Sequence, residues 1–298
     1  MKVLSVSNYK DISGKSQRSK IMTPVNFTGD SASLASKVLK WGARIGVPLV
    51  LTMATVDTFE KYDYEGLEKA GIVDYVEPVQ KEFVTRAQAM DYANKRVVEA
   101  LNSDSPYEHA VLINDATNEV FAEFKGDNDK VVTAVSLWDM VKMAYQQTGY
   151  SMVHGHPAYK NDVTTPLGFQ DFIVFVENED MKEITSVNKY GEISRLKKKP
   201  FYQTIDSTMV MSLYAEFLKI LTNSVKKNTP WLWKDYNKAL ENTSDSLEID
   251  SINKEFSKVL NKQDSIPDVV KNVQKFWKKY APKCGMDYYT NYREIREK

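Results

Sequence analysis

Three histidines occur in the 298 residues, and two of them, His154 and His156, stand two apart after the apolar run Ser151-Met152-Val153. If residues 153–156 are extended, alternation turns both imidazoles to one face, close enough to hold one ion. Pro157 and the polar Lys160-Asn161-Asp162 break the strand into a loop, and Thr165-Pro166 leads into Phe169-Gln170-Asp171-Phe172, so Asp171 falls near the start of a predicted helix. Two imidazoles and a carboxylate make an N,N,O set. Catalytic zinc takes three protein ligands of this kind and keeps water in the fourth position. Hydrolysis at such a site also needs a general base for the water's proton. Glu108 is the candidate, at the head of Glu108-His109-Ala110-Val111-Leu112-Ile113, an apolar strand followed by a turn and a second strand over residues 120–124.

An H-x-H pair alone is a weak signal, because histidines fall two apart by chance. The order is more specific: a Glu-bearing strand, a long helical spacer, strand-His-x-His-Pro, a loop, then a helix carrying Asp. In that order the segment resembles the JAMM (MPN+) zinc metalloprotease domain, and within it the RadC-like and phage-encoded branch. Glu108-His109-Ala110-Val111 resembles the family's Glu-bearing strand, His154-Gly155-His156-Pro157 its H-x-H-P, and Thr165-Pro166 with Asp171 its T-P-S-x-x-D region. Residues 182–187 and 191–196 look like the two strands that follow the Asp helix. The resemblance covers residues 107–199, about a third of the chain. It implies zinc held by His154, His156 and Asp171, with Glu108 as the catalytic base. It also implies a central mixed-sheet domain with cytidine-deaminase-like layering, and cleavage of a peptide or isopeptide amide in a protein or peptide substrate. His109 opposes Glu108 on an extended strand, so only one of them can face the metal; the resemblance assigns Glu108 and leaves His109 a satisfied or exposed histidine.

The chain departs from the family pattern twice. The loop between Pro157 and Asp171 is longer than in compact members, and the family serine three residues before the Asp is here Gly168. That serine is thought to help stabilise the oxyanion, so its loss bears on rate more than on metal binding. Thr164 or Thr165 would have to substitute. The alternative expectation is a non-catalytic JAMM-like binding or scaffold protein, phage-encoded as the resemblance to that branch implies.

These side chains need elements to position them. A helix is expected over residues 84–102 from the spacing of Ala87, Met90, Ala93, Val97, Val98 and Leu101, and a spacer helix over 134–147 carrying Trp138, Met140 and Met143 as core or half-buried flank. Residues 1–83 read as a small α/β unit with a helix over 32–44, a strand over 49–53 and a short helix over 64–70 closed by Gly71. Residues 84–200 read as the metal-site domain, with Lys197-Lys198-Lys199-Pro200 as a solvated linker start. Residues 201–298 read as an all-α extension, its last helix opened by Ser265-Ile266-Pro267. The fold class expected is therefore α/β with an all-α C-terminal extension. Core packing is the expected use of most rings in the aromatic-rich end, 277–289.

Bulk properties narrow the function classes. Forty basic and forty acidic side chains cancel, with a pI near 6.9, so no global field draws the chain to nucleic acid or an anionic membrane. The most apolar window, 45–56, is about half the ~20 residues needed to cross a bilayer. Residues 1–20 lack the apolar core of a signal peptide. A lone cysteine, Cys284, permits no internal disulfide and fits a reducing, cytoplasmic setting. Ser13-Gly14-Lys15-Ser16 ends like a P-loop, but lacks the upstream glycine and the preceding apolar strand.

Overall fold

Strands rich in Val, Ile, Ala and aromatic residues alternate with capped amphipathic helices along this chain, and the result is α/β. The computed structural model describes residues 63–127, 131–157, 167–241, 251–252, 256 and 267–292. The described strands are β1 (Tyr75–Val76), β2 (His109–Asn114), β3 (Val120–Lys125), β4 (Tyr150–Gly155), β5 (Met181–Val187), β6 (Ile193–Lys198) and β7 (Met286–Thr290). They form a seven-stranded mixed sheet in the order β1-β3-β2-β4-β5-β6-β7. The helices are α1 (Tyr64–Lys69), α2 (Arg86–Leu101), α3 (Leu137–Gln146), α4 (Phe169–Glu177), α5 (Ser207–Asn228), α6 (Pro230–Glu241) and α7 (Pro267–Tyr280). The expected helix over 32–44, the strand over 49–53, Thr164 and Thr165 lie outside the described residues. No described helix is long and apolar enough to cross a membrane.

The chain divides into two compact units: the described residues of 22–157 with 178–191, and those of 158–177 with 192–298. In the first, β2 and β4 are buried along their whole length. Both therefore lack the apolar/polar alternation of a half-exposed strand, and their polar members His109, Asn114, Ser151 and His154 are buried too. β2 pairs antiparallel with β3 and β4, and β4 pairs parallel with β5. α2 starts at a capping box: the Gln88 N–H donates to Thr85 Oγ1, and the Thr85 N–H donates back to Gln88 Oε1. Of the expected stripe Ala93, Val97 and Leu101 are buried, Met90 and Val98 half-buried and Ala87 exposed; Ala89 and Ala100 complete the buried face. α3 is capped by Ser136, whose Oγ accepts the Asp139 N–H, and closes on Gln147 in the left-handed region. Met143 is buried as expected, but Trp138 is 63% exposed. Periodicity identified the helix correctly; it could not say how much of the stripe its neighbours cover.

In the second unit α4 is wedged into an aromatic cluster. Phe169 and Phe172 pack on Trp277 of α7, and Phe169 also meets Phe217 of α5. The Trp277 indole N–H donates to the Leu167 carbonyl at 2.8 Å, just before α4 begins. Buried indoles and phenols need such partners, and this one ties the chain entering α4 to α7. Burial of Trp277 fits the expectation that the C-terminal rings are core. Cys284 is buried too, and burial pushes its thiol up to about 11, so it is inert packing.

Two expectations need correction here. The C-terminal segment is not all-α: β7 pairs antiparallel with β6, Met286 opposite Lys198 and Thr290 opposite Ser194. Met286-Asp287-Tyr288-Tyr289-Thr290 alternates buried and exposed positions, and Tyr and Thr favour strands. Read without its partner strand, that short run looked like a helix end. The basic run is not a solvated linker either. Lys197 and Lys198 belong to β6, and Lys198 is 8% exposed, its ammonium lying over the rings of Phe175 and Tyr202.

Candidate metal centre

β2 and β4 hold the site's first unit in register. Ala110 stands opposite His154, and Val111 opposite Val153 and Glu123. Opposed residues on paired strands share a face. Ala110, Phe124, Met152 and His154 therefore face one side, and Val111, Val153, Glu123 and Gly155 the other. Glu108 is two residues before Ala110, and its strand is prolonged by main-chain bonds: its N–H donates to Asp127 O and its carbonyl accepts from the Gly126 N–H, both at 2.8 Å. By alternation Glu108 belongs to the His154 face. It is 8% exposed.

His109 faces the other way. Its Nε2 lies 2.8 Å from Glu123 Oε2, and the same carboxylate accepts from Tyr92 Oη at 2.6 Å and Arg96 Nε at 3.0 Å, both on α2. Burial alone would push the Glu123 carboxyl up. The hydrogen bonds from His109 and Tyr92 and the charge of Arg96 outweigh it and hold the carboxyl below the usual glutamate range. His109 is thus a core histidine bonded to Glu123 through Nε2, while its Nδ1 is buried with no hydrogen-bond partner among the described residues.

Gly155, the residue between the two histidines of the motif, is required by packing. A Cβ there would lie 2.4 Å from Val97 Cγ1 and 2.8 Å from Leu101 Cδ1, both on α2. The close approach of helix to strand leaves room only for hydrogen at this position. His156 follows directly, past the strand end and half-buried, with the buried Pro157 turning the chain away.

On the His154 face the imidazoles meet nitrogen to nitrogen. His154 Nε2 and His156 Nε2 are 3.1 Å apart, with the ring planes inclined at 63°. Two zinc–nitrogen bonds at a tetrahedral angle would set these atoms roughly 3.3 Å apart, so the pair fits a metal-binding geometry almost unchanged. Asp171 stands in the first turn of α4, where its Oδ2 accepts the Gly168 N–H at 2.7 Å. That bond satisfies a helix-start donor and fixes the plane of the carboxylate. His154, His156 and Asp171 each offer one ligand atom, and these atoms all lie within 4.8 Å of one another. The three residues could hold a metal ion. The chain matches no family model, no curated protein and no solved structure. What the site can do therefore rests on its own chemistry.

That chemistry is hard-to-borderline: two neutral imidazoles and one carboxylate suit zinc and other imidazole-loving divalent ions. A cleft of about 410 Å³ lies elsewhere, between α5 and α7. Asn223, Lys227, Asp268 and Lys275 are among its lining residues, and none of the cluster's residues is. Among the described residues its wall holds no group of potential metal ligands, so geometry at the histidines outweighs concavity here. Sequence reasoning missed two residues of the strands that carry the site: Glu123, which anchors His109 on the opposite face, and Gly155, whose missing side chain admits α2. Only Gly155 carried a signal, as the small residue between the histidines.

Proposed function

We propose that this chain is a zinc-dependent hydrolase of the JAMM type, acting on a peptide or isopeptide amide bond. The observation that carries the reading is the convergence of His154, His156 and Asp171, which come from a strand end, the residue beyond it and a helix start, as that family's ligand order requires. In this reading His154 and His156 bind through Nε2, and Asp171 binds through a carboxylate oxygen oriented by the Gly168 N–H. A zinc ion held there supplies Lewis acidity and brings a water's pKa toward neutrality. Glu108, on the His154 face and nearly buried, takes the water's proton on its carboxylate and returns it to the leaving amine. The layering of a JAMM domain, a relation to its RadC-like or phage-encoded branch, and a protein or peptide substrate belong to the same proposal.

Metal content tests it. Protein purified without a His-tag is expected to carry about one zinc per chain by inductively coupled plasma mass spectrometry, and His154→Ala/His156→Ala none. No metal in either protein after zinc is added back would overturn the reading. Glu108→Gln is expected to keep its zinc and lose all cleavage of a peptide substrate that the wild type cuts.

One observation favours a second reading. At the position of the family's serine, Gly168 offers no hydroxyl, and its N–H is committed to Asp171. A metal-bound protein that recognises a peptide without cutting it would show one zinc per chain, capture of that peptide, and no product with wild type or Glu108→Gln.

A further inference from the structure

Ser186 lies on β5, whose parallel pairing with β4 sets it directly beside His154. Neighbouring strands run about 4.8 Å apart, and side chains at one register position share a face. Ser186 is 1% exposed, and its Oγ has no hydrogen-bond partner among the described residues. A buried hydroxyl left unbonded lowers stability, and in a native fold it calls for an explanation. Thr185, one residue earlier, faces the other side of the sheet, level with Val153. Its Oγ1 is likewise buried without a hydrogen-bond partner.

The two hydroxyls differ in what they stand beside. His154 turns Nε2 toward His156, and its Nδ1 is buried. A histidine that gives the Nε2 lone pair to a metal carries its proton on Nδ1, and that N–H needs an acceptor to hold the ring in plane and keep the tautomer. A serine hydroxyl has two acceptor lone pairs. We infer that Ser186 is the positioning residue for His154: its Oγ accepts the Nδ1–H of the imidazole when Nε2 binds the metal. The inference rests on the metal reading above and adds to it a residue outside the ligand set. It also explains why the sheet keeps a hydroxyl at a buried position where Ala would pack as well.

Zinc affinity of the full chain, measured by competition with a chromophoric chelator, tests this, alongside the thermal midpoint of each metal-free protein. Ser186→Ala is expected to weaken zinc binding 10- to 100-fold, the usual effect of removing a ligand's hydrogen-bond partner, while its metal-free midpoint stays at or above that of wild type. Thr185→Val removes the neighbouring hydroxyl on the opposite face and is expected to leave zinc affinity unchanged. The inference is overturned if Ser186→Ala binds zinc as tightly as wild type, if Thr185→Val weakens binding equally, or if the metal-free Ser186→Ala protein melts well below wild type, which would make the loss structural. If wild type itself takes up no zinc, the metal reading falls and this inference with it. If wild type binds zinc and Ser186→Ala matches it, only the inference falls.

Discussion

The two faces of the β2–β4 pair carry histidines in opposite situations. On the α2 face, His109 has an anion within hydrogen-bond reach: Glu123, itself held by Tyr92 and Arg96. Every charge there has an opposite neighbour inside the protein. On the other face, His154 and His156 bring two nitrogens to 3.1 Å, where at most one proton fits between them. A cation is the group that makes two facing imidazole lone pairs favourable together, and the nearby carboxylate of Asp171 adds to its attraction. The same residue type thus pairs with a carboxylate on one face and belongs to a cluster that could hold a metal ion on the other.

Removing Glu123 should break the first situation most severely. Its side chain is fully buried, and Glu123→Ala would leave His109 Nε2 without its acceptor and Arg96 with only the exposed Glu99. Loss of one partner from a buried ion pair costs roughly 3–5 kcal/mol. The cost is expected with or without zinc, as a lowered midpoint in chemical denaturation. A loss under about 1 kcal/mol would mean the cluster is wetter than its burial indicates. The second situation should respond to metal alone. Zinc at one hundred times its Kd should stabilise wild type by about 2.7 kcal/mol, read as a rise in thermal midpoint, and His154→Ala/His156→Ala should show no such rise. An equal rise in the double mutant would place the metal elsewhere.

The sequence reading recovered most elements but fewer relationships between them. α2 and β5 lie within about two residues of their predicted spans, because their apolar periods are set by burial on one face or two. The ligand set was legible because histidine is scarce here and the order of motifs is unusual. Glu123 was not, since a glutamate inside an apolar strand reads as a surface residue until Arg96 and Tyr92 are brought over it by α2. β7 was missed for a related reason: its partner β6 is almost a hundred residues away, and strand pairing leaves no local mark. Ser186 became visible only through register, which no single-strand pattern encodes.

Gly155 joins the two faces and gives a sharper, smaller test. Its neighbours in sequence are the two histidines, but its own missing side chain lies on the α2 face, where a Cβ would press on Val97 and Leu101. Gly155→Ala should cost about 1–3 kcal/mol by overpacking. Because β4 or α2 must shift to admit the methyl, zinc affinity should fall as well. Val97→Ala in the same chain opens space for that methyl and should restore part of both. Stability regained without zinc affinity would show that the two faces are mechanically independent.

The smallest effect comes from pH, and its sign follows from Glu123. The folded protein holds this carboxyl below its usual range. Its contribution to stability is therefore complete above the unfolded glutamate value of about 4.3 and is lost as pH falls through the lower folded value. Each unit of depression amounts to about 1.4 kcal/mol. Metal-free wild type, followed by urea denaturation from pH 6 down to pH 3, should lose stability over that acid window more steeply than Glu123→Gln, which has no proton to take up there. Parallel curves would show that Glu123 titrates alike in both states, and the His109 face would then be held by packing around neutral groups instead of by charge.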